Sequence, residues 1–305
     1  MNLKFLGHTG VQVPEVGLGT WGYHAGPEPL RRGLEAGALF IDTAESYGSE
    51  PVVAEAIRGL RDQVFLATKV SPEHFGRAEL LLAADQSLRQ LRTDRIDLYQ
   101  LHKPNPNIPI EETMAAMEEL VDAGKVRFIG VSNFSVPELE RARKALRKHQ
   151  IAANQVRYNL ADRTIEPELL PFCESNGITV IAYSPLGREP QRLFDCDPRG
   201  VLRSIAAAVG RTPAQVALNW CLSKEPVVVI PKGNSTAHVV ENCGASGWRL
   251  NAQHLVRLNT EIAFRRRSRF EMLLRNRIPT GFVQGVRSVA HLLPRGLRRR
   301  LSRID

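Results

Sequence analysis

The chain has 305 residues, 43% hydrophobic and 24% charged, the profile of a soluble globular protein and not of a disordered or collagen-like chain. Its length suits one α/β barrel of about 250 residues plus an extension. The net charge of +9 is concentrated: taking the 12 Arg of residues 262–305 from 41 basic residues leaves 29, and taking Glu271 and Asp305 from 32 acids leaves 30, which excludes a uniformly basic nucleic-acid-binding core.

Residues 1–8 lack the apolar stretch of a signal peptide. No apolar run reaches the ~18–20 residues needed to span a bilayer. Residues 3–6 and 11–13 flank His8-Thr9-Gly10 and predict a β-hairpin capping one end of the fold, with a loose N-terminal arm as the alternative. Short β-branched runs then recur at 16–18, 38–41, 64–67, 96–101, 126–131, 152–156, 178–182 and 227–230. Helical patterns separate them. Residues 78–91 place Leu81, Leu82, Leu88 and Leu91 at helical spacing, and residues 110–123 place Met114, Met117, Leu120 and Val121 on one stripe before Gly124. Pro137 and Pro213 open helices over 138–146 and 214–222. Gly177 and Gly210 stand where helix C-termini favour a left-handed residue. Eight strands alternating with helices predict a closed (β/α)8 TIM barrel of the α/β class. Cys173, Cys196, Cys221 and Cys243 are widely spaced with no C-x-x-C pair, so reduced thiols, a cytoplasmic location and no metal site are expected.

Gly17-Leu18-Gly19-Thr20-Trp21-Gly22 matches G-x-G-x-x-G, with Asp42 about 20 residues on. In a dinucleotide fold the helix must begin within the glycines so that its amides face the pyrophosphate. Here Gly26-Pro27-Glu28-Pro29 intervenes, and the helix cannot start before Pro27. The match is read as a decoy.

In a barrel, side chains available for chemistry project from the C-terminal strand ends. Asp42, Lys69 and His102 follow three successive strands, and Tyr47 lies in a loop closed by Gly48. Singly, each has a bland reading: a helix-capping Asp, a snorkelling Lys, a rim His. Together they converge on one rim. Reducing a carbonyl needs a hydride donor and an acid for the developing alkoxide. A phenol with pKa about 10 needs a neighbouring ammonium to serve near neutrality. Asp42 would hold Lys69 charged and aimed at Tyr47, and His102 would orient the carbonyl oxygen.

At these residues the sequence resembles the aldo-keto reductase family. Asp42-Thr43-Ala44-Glu45-Ser46-Tyr47-Gly48 is similar to its D-T-A-x-x-Y-G signature, and Ala67-Thr68-Lys69 and Leu101-His102-Lys103-Pro104 to its Lys and His motifs. The resemblance spans roughly residues 1–263. It implies an NADP(H)-dependent enzyme that reduces small aldehydes or ketones, with Tyr47 as proton donor. It also implies cofactor contacts. Ser132 and Asn133, in Gly130-Val131-Ser132-Asn133-Phe134, would bind the nicotinamide carboxamide with Gln155. Tyr183, in Ala182-Tyr183-Ser184-Pro185-Leu186-Gly187, would stack on the ring, with Ser184 and Leu186 near the pyrophosphate. Gly19, Thr20 and Trp21 would line the pocket, although Trp21 reads equally as core packing. Lys232 would pair with the 2′-phosphate beside Gly233, Asn234 and His238, and Glu241 and Asn242 would bind adenine. A helix starting near Thr236 adds partial positive charge there. Gly233 stands where the family usually has a hydroxyl residue and His238 where it has Arg, a loss of a bidentate clamp that leaves NAD(H) open.

Residues 264–305 depart from the family. Phe270, Leu273, Leu274 and Ile278, then Phe282, Val286, Val289 and Leu293, then Leu297, Leu301 and Ile304 fall at helical spacing among arginines, giving a basic, amphipathic, helical C-terminal extension. Helices folded on the barrel with a solvated Arg face are one reading, and contact with an anionic membrane surface is another. Nucleic-acid binding is disfavoured because aromatics for base stacking are nearly absent. A cofactor-sensing regulatory subunit docked through this extension is the alternative to an enzyme; the complete set of four catalytic groups favours the enzyme.

Overall fold

The computed structural model of the chain describes residues 1–187, 191–268 and 271, and its strands follow the β-branched runs of the sequence. Strands β1 (Leu3–Phe5) and β2 (Gln12–Pro14) form an antiparallel hairpin. Eight more pair in sequential order, all parallel: β3 (Leu18–Gly19), β4 (Phe40–Asp42), β5 (Phe65–Val70), β6 (Ile96–Leu101), β7 (Val126–Ser132), β8 (Ile151–Arg157), β9 (Thr179–Tyr183) and β10 (Val227–Val229). The sheet closes on itself beside β3. Val16 bridges Val229 in parallel, the Gly17 amide donates to the Val229 carbonyl at 2.8 Å, and the Val229 amide donates to Glu15 at 2.9 Å. The expected (β/α)8 barrel is the observed architecture, and Met1–Phe264 form one compact unit.

Parallel strands covered on both faces must be apolar throughout. Phe40, Phe65, Ala67, Leu98, Ala153, Ile181 and Val228 fill the barrel interior. A second, larger core lies between strands and helices, built on residues such as Leu66, Tyr99, Met114, Met117, Leu120 and Trp220. The helix over residues 78–91 is present as Arg77–Leu91, but its buried side carries Leu80, Ala83, Ala84, Leu88 and Leu91, while Leu82 is 61% exposed. Three consecutive leucines, Leu80 to Leu82, allow more than one apolar stripe, and the small Ala83 and Ala84 select the one that packs closely.

Packing requires the first two glycines of the G-x-G-x-x-G match. A Cβ on Gly17 would lie 2.7 Å from the Phe40 ring, and one on Gly19 would lie 2.5 Å from the Ile230 carbonyl oxygen. They permit the close strand approach that shuts the barrel. The following helix, Pro27–Glu35, begins after Gly26, as the prolines require. At the opposite end the hairpin plugs the barrel. Lys4 donates from Nζ to the carbonyls of Leu222, Lys224 and Val227 at 2.7–3.0 Å, and burial pulls its pKa down to about 8. No helix among the described residues is long and apolar enough to cross a membrane. The stripes expected from Phe270 to Ile304 lie outside the described residues.

Candidate active site

Side chains alternate along a strand, so the residues that meet inside the barrel mouth share parity. In β5, Ala67 lies in the interior cluster and Lys69 follows it on the same side, whereas Thr68 faces the helices. Lys69 is fully buried and donates from Nζ to Asp42 Oδ1 at 2.5 Å and to the Thr43 carbonyl at 2.7 Å. The other oxygen of Asp42 accepts Gln100 Nε2 at 3.0 Å and Gln155 Nε2 at 2.7 Å. Asp42 is therefore a buried carboxylate with donors on both oxygens, as a charge out of water requires. Burial pulls the Lys69 pKa down, and the Asp42 carboxylate opposes that pull.

The ammonium of Lys69 lies 4.9 Å from the centroid of the Tyr47 ring. Tyr47 ends a short 3-10 turn, Glu45–Tyr47, closed by Gly48 at a φ of 69°. Its hydroxyl lies 3.2 Å from His102 Nε2, and the two rings meet edge to face. The four groups read from three strand ends and one loop thus come together at one place.

His102 follows β6, and its environment keeps it neutral: burial first, then the Lys69 and Lys103 ammonium groups, push its pKa from 6.5 down to about 3. Neutral in the fold and protonated in the unfolded chain, it contributes stability that is complete above pH 6.5 and is lost as pH falls toward 3, at about 1.4 kcal/mol per pH unit. Urea unfolding midpoints of the native chain should fall between pH 6.5 and 4.5 more steeply than those of His102→Gln. Parallel pH slopes for the two chains would refute this account.

A second cluster adjoins these groups. Tyr183 donates from its hydroxyl to Asn133 Oδ1 at 2.9 Å, and Asn133 Nδ2 donates to the His102 carbonyl at 3.2 Å and to Ser132 Oγ at 2.9 Å. Ser132 Oγ donates to the Gln155 carbonyl at 2.9 Å. Asn133 and Ser184 hold φ of 62° and 48°, left-handed values that cost on the order of 1 kcal/mol each. Thr20 is buried, donating to the Asp42 carbonyl, whereas Trp21 is 37% exposed on the rim and not in the core. Leu186 is partly buried against the outer core.

The remaining expected residues gather beyond β10. The exposed Lys232 donates from Nζ to the Gly22 carbonyl at 3.2 Å, and Asn234 Oδ1 accepts the His24 amide, so the loops after β3 and β10 meet. Helix Thr236–Cys243 is capped by Ser235, whose Oγ accepts the His238 amide. The His238 side chain is exposed, Glu241 half-buried and Asn242 buried. Gly233 is dictated by packing: a Cβ there would lie 2.6 Å from Val239 Cγ2 and 3.0 Å from the Val239 amide nitrogen.

Sequence reasoning missed Gln100, which holds Asp42 from below. Its signal was a polar residue two before His102, on the inward parity of an otherwise apolar strand end. The amide of Gln155, expected at the cofactor, is committed through Nε2 to Asp42 and Gln100.

Comparison with known proteins identifies the family. The Aldo/keto reductase family model matches residues 15–260. The chain is 40% identical over 270 residues to methylglyoxal reductase YeaE of Escherichia coli, covering 85% of this chain and 95% of that protein. Among solved structures, the aldo/keto reductase from Klebsiella pneumoniae in complex with NADP and acetate superposes with a TM-score of 0.79 at 39% identity, covering 88% of this chain and 98% of that one. The thermostable aldo-keto reductase Tm1743, in complex with the inhibitor epalrestat, gives a TM-score of 0.80 at 39% identity over 85% of this chain and 99% of that one. A closed parallel barrel with Asp, Tyr, Lys and His at its mouth, matched by the family model over most of its length, places this chain in the aldo/keto reductase family.

Proposed function

We propose that the chain reduces small aldehydes and ketones to alcohols with NADP(H), using Tyr47 as general acid. The observation that carries this is the assembly of Tyr47, the Asp42–Lys69 ion pair and His102 at one strand-end rim. Tyr47 would donate its proton to the carbonyl oxygen as negative charge develops there. The Lys69 ammonium, held charged by Asp42, would stabilise the phenolate left behind. Neutral His102 would donate a hydrogen bond to the same oxygen and orient it. The assembled set favours turnover over a role confined to cofactor sensing.

The residues fit a nicotinamide dinucleotide. Ser132 and Asn133 would offer hydroxyl and amide groups to a carboxamide beside the aromatic face of Tyr183, with Asn133 and Ser184 left-handed. Gln155, whose Nε2 is bonded to Asp42 and Gln100, would join them only through its amide oxygen. Gly19, Thr20 and Trp21 border the mouth, and Ser184 and Leu186 would lie near the pyrophosphate. Lys232, Gly233, Asn234 and His238 would face the 2′-phosphate, with Glu241 and Asn242 on the adenine. When bound, the cofactor supplies the hydride. The names of the relatives, a methylglyoxal reductase and an NADP complex, support a small carbonyl substrate and NADP(H) over NAD(H). The test is NADPH oxidation with a panel of aldehydes: turnover is expected, and tight NADPH binding without turnover of any carbonyl would move the reading to a sensor.

A cytoplasmic location fits four unbridged cysteines, three of them buried with thiol pKa values raised by burial. The Arg-rich extension, 264–305, fits docking on an anionic membrane surface, since its charge density is absent from the near-neutral body. The full chain should co-sediment with phosphatidylserine-containing vesicles at low salt and be released at high salt. Retention no greater than on phosphatidylcholine alone would remove this part of the reading.

A further inference from the structure

Tyr47 sits on a loop and Lys69 on a strand, so their spacing depends on what ties the loop to β5. Two carboxylates that flank Tyr47 in sequence make the tie. Glu45 Oε1 accepts the Ser71 amide at 2.6 Å, and Glu50 Oε1 accepts the Thr68 hydroxyl at 2.7 Å. Thr68 and Ser71 bracket Lys69 on β5 and its exit. Between these clamps the Thr43 amide donates to the Ala67 carbonyl at 2.9 Å, and the Thr43 carbonyl accepts Lys69 itself.

Glu50 is the costlier of the two. It is only 4% exposed, and it opens helix Glu50–Ala56, where the unpaired amides of the first turn favour a carboxylate. Burial pushes its pKa up, and the hydrogen bond from the Thr68 hydroxyl pulls it back. Its neighbour Ser49 completes the anchor, donating to Thr20 Oγ1 at 2.9 Å and lying 2.9 Å from Thr43 Oγ1. A buried acid is expensive unless well bonded, and loop packing alone has no need of one. Thr68 points away from Lys69, toward the helices, so the bond crosses from the outer layer to the strand that carries the ammonium.

We propose that Glu50 is a positioning residue: through its hydrogen bond from Thr68, with Glu45 as a second clamp, it sets the register of the Tyr47 phenol against the Lys69 ammonium. Neither carboxylate touches the reacting atoms. The inference rests on Tyr47 and Lys69 carrying the chemistry, as argued above.

The test uses full-length chains carrying Thr68→Val, Thr68→Ser, Glu50→Ala or Glu50→Gln. It reads kcat and KM for a small aldehyde, with NADPH affinity measured by fluorescence. Thr68→Val and Glu50→Ala should lose about 10–100-fold in kcat, since small misplacements of reacting groups are costly, while KM and NADPH affinity stay within about twofold. Thr68→Ser and Glu50→Gln keep the hydroxyl donor and the oxygen acceptor and should stay within about threefold of native kcat. The proposal is overturned by native kcat in Thr68→Val, by equal losses in Thr68→Ser, or by a kcat loss matched by weaker NADPH binding. The Thr68 pair decides the matter even where Glu50→Ala fails to fold. A native chain inert with NADPH and every carbonyl overturns the reductase reading and the clamp with it; a working native chain with unaffected Thr68→Val overturns the clamp alone.

Discussion

Tyr47→Phe should abolish carbonyl reduction while NADPH still binds. The change removes one oxygen and leaves the ring in its place, 4.9 Å from the Lys69 ammonium and edge to face with His102. A positioned general acid is worth about 10²–10⁴ in rate, and that is the expected loss in kcat. The stability cost should be small, about 1 kcal/mol for the partly buried hydrogen bond with His102. The residues proposed to hold the nicotinamide, Ser132, Asn133 and Tyr183, bond to one another and to the His102 carbonyl. NADPH titration followed by fluorescence should therefore give an unchanged dissociation constant. A Tyr47→Phe chain that keeps a tenth or more of native turnover would mean that another group or a water protonates the alkoxide.

The barrel was legible because each strand buries both faces, so apolar runs stand out between polar helix surfaces. Asp42, Lys69 and His102 were legible for the converse reason: a charged or titratable residue at the end of such a run has only the rim to face. Parity along a strand was the signal left unused. It would have paired Gln100 with His102, and it separates Thr68 from Lys69, neighbours in sequence that face opposite sides of the sheet. Local patterns misled where packing decides between equivalents. Leu82 is exposed because the adjacent alanines select another stripe, and Gly17 and Gly19 mimic a phosphate loop because barrel closure also needs close backbone approach. The bond from Thr68 to Glu50 joins residues 18 apart in sequence on different elements, and only the folded chain brings them together.

Lys69→Met should cost both catalysis and stability, and the two losses separate by a second substitution. The ion pair is wholly desolvated: Lys69 is 0% exposed and Asp42 2%. Removing the ammonium leaves a buried carboxylate whose side-chain donors among the described residues are the Gln100 and Gln155 amides. Breaking a buried pair from one side typically costs about 3–5 kcal/mol, and the two remaining donors place this case at the lower end. Substituting Asp42→Asn in the same chain neutralises the stranded charge and should recover about 1–3 kcal/mol, a coupling expected of groups in direct contact. Neither chain should regain turnover, because the phenolate of Tyr47 then forms without a cation beside it, a loss of about 10²–10³ in kcat. Urea unfolding of the single and double variants, read beside their reductase rates, tests both halves. Full activity in Lys69→Met, or a double variant no more stable than the single, would show that the pair does not hold the charge that the proton transfer requires.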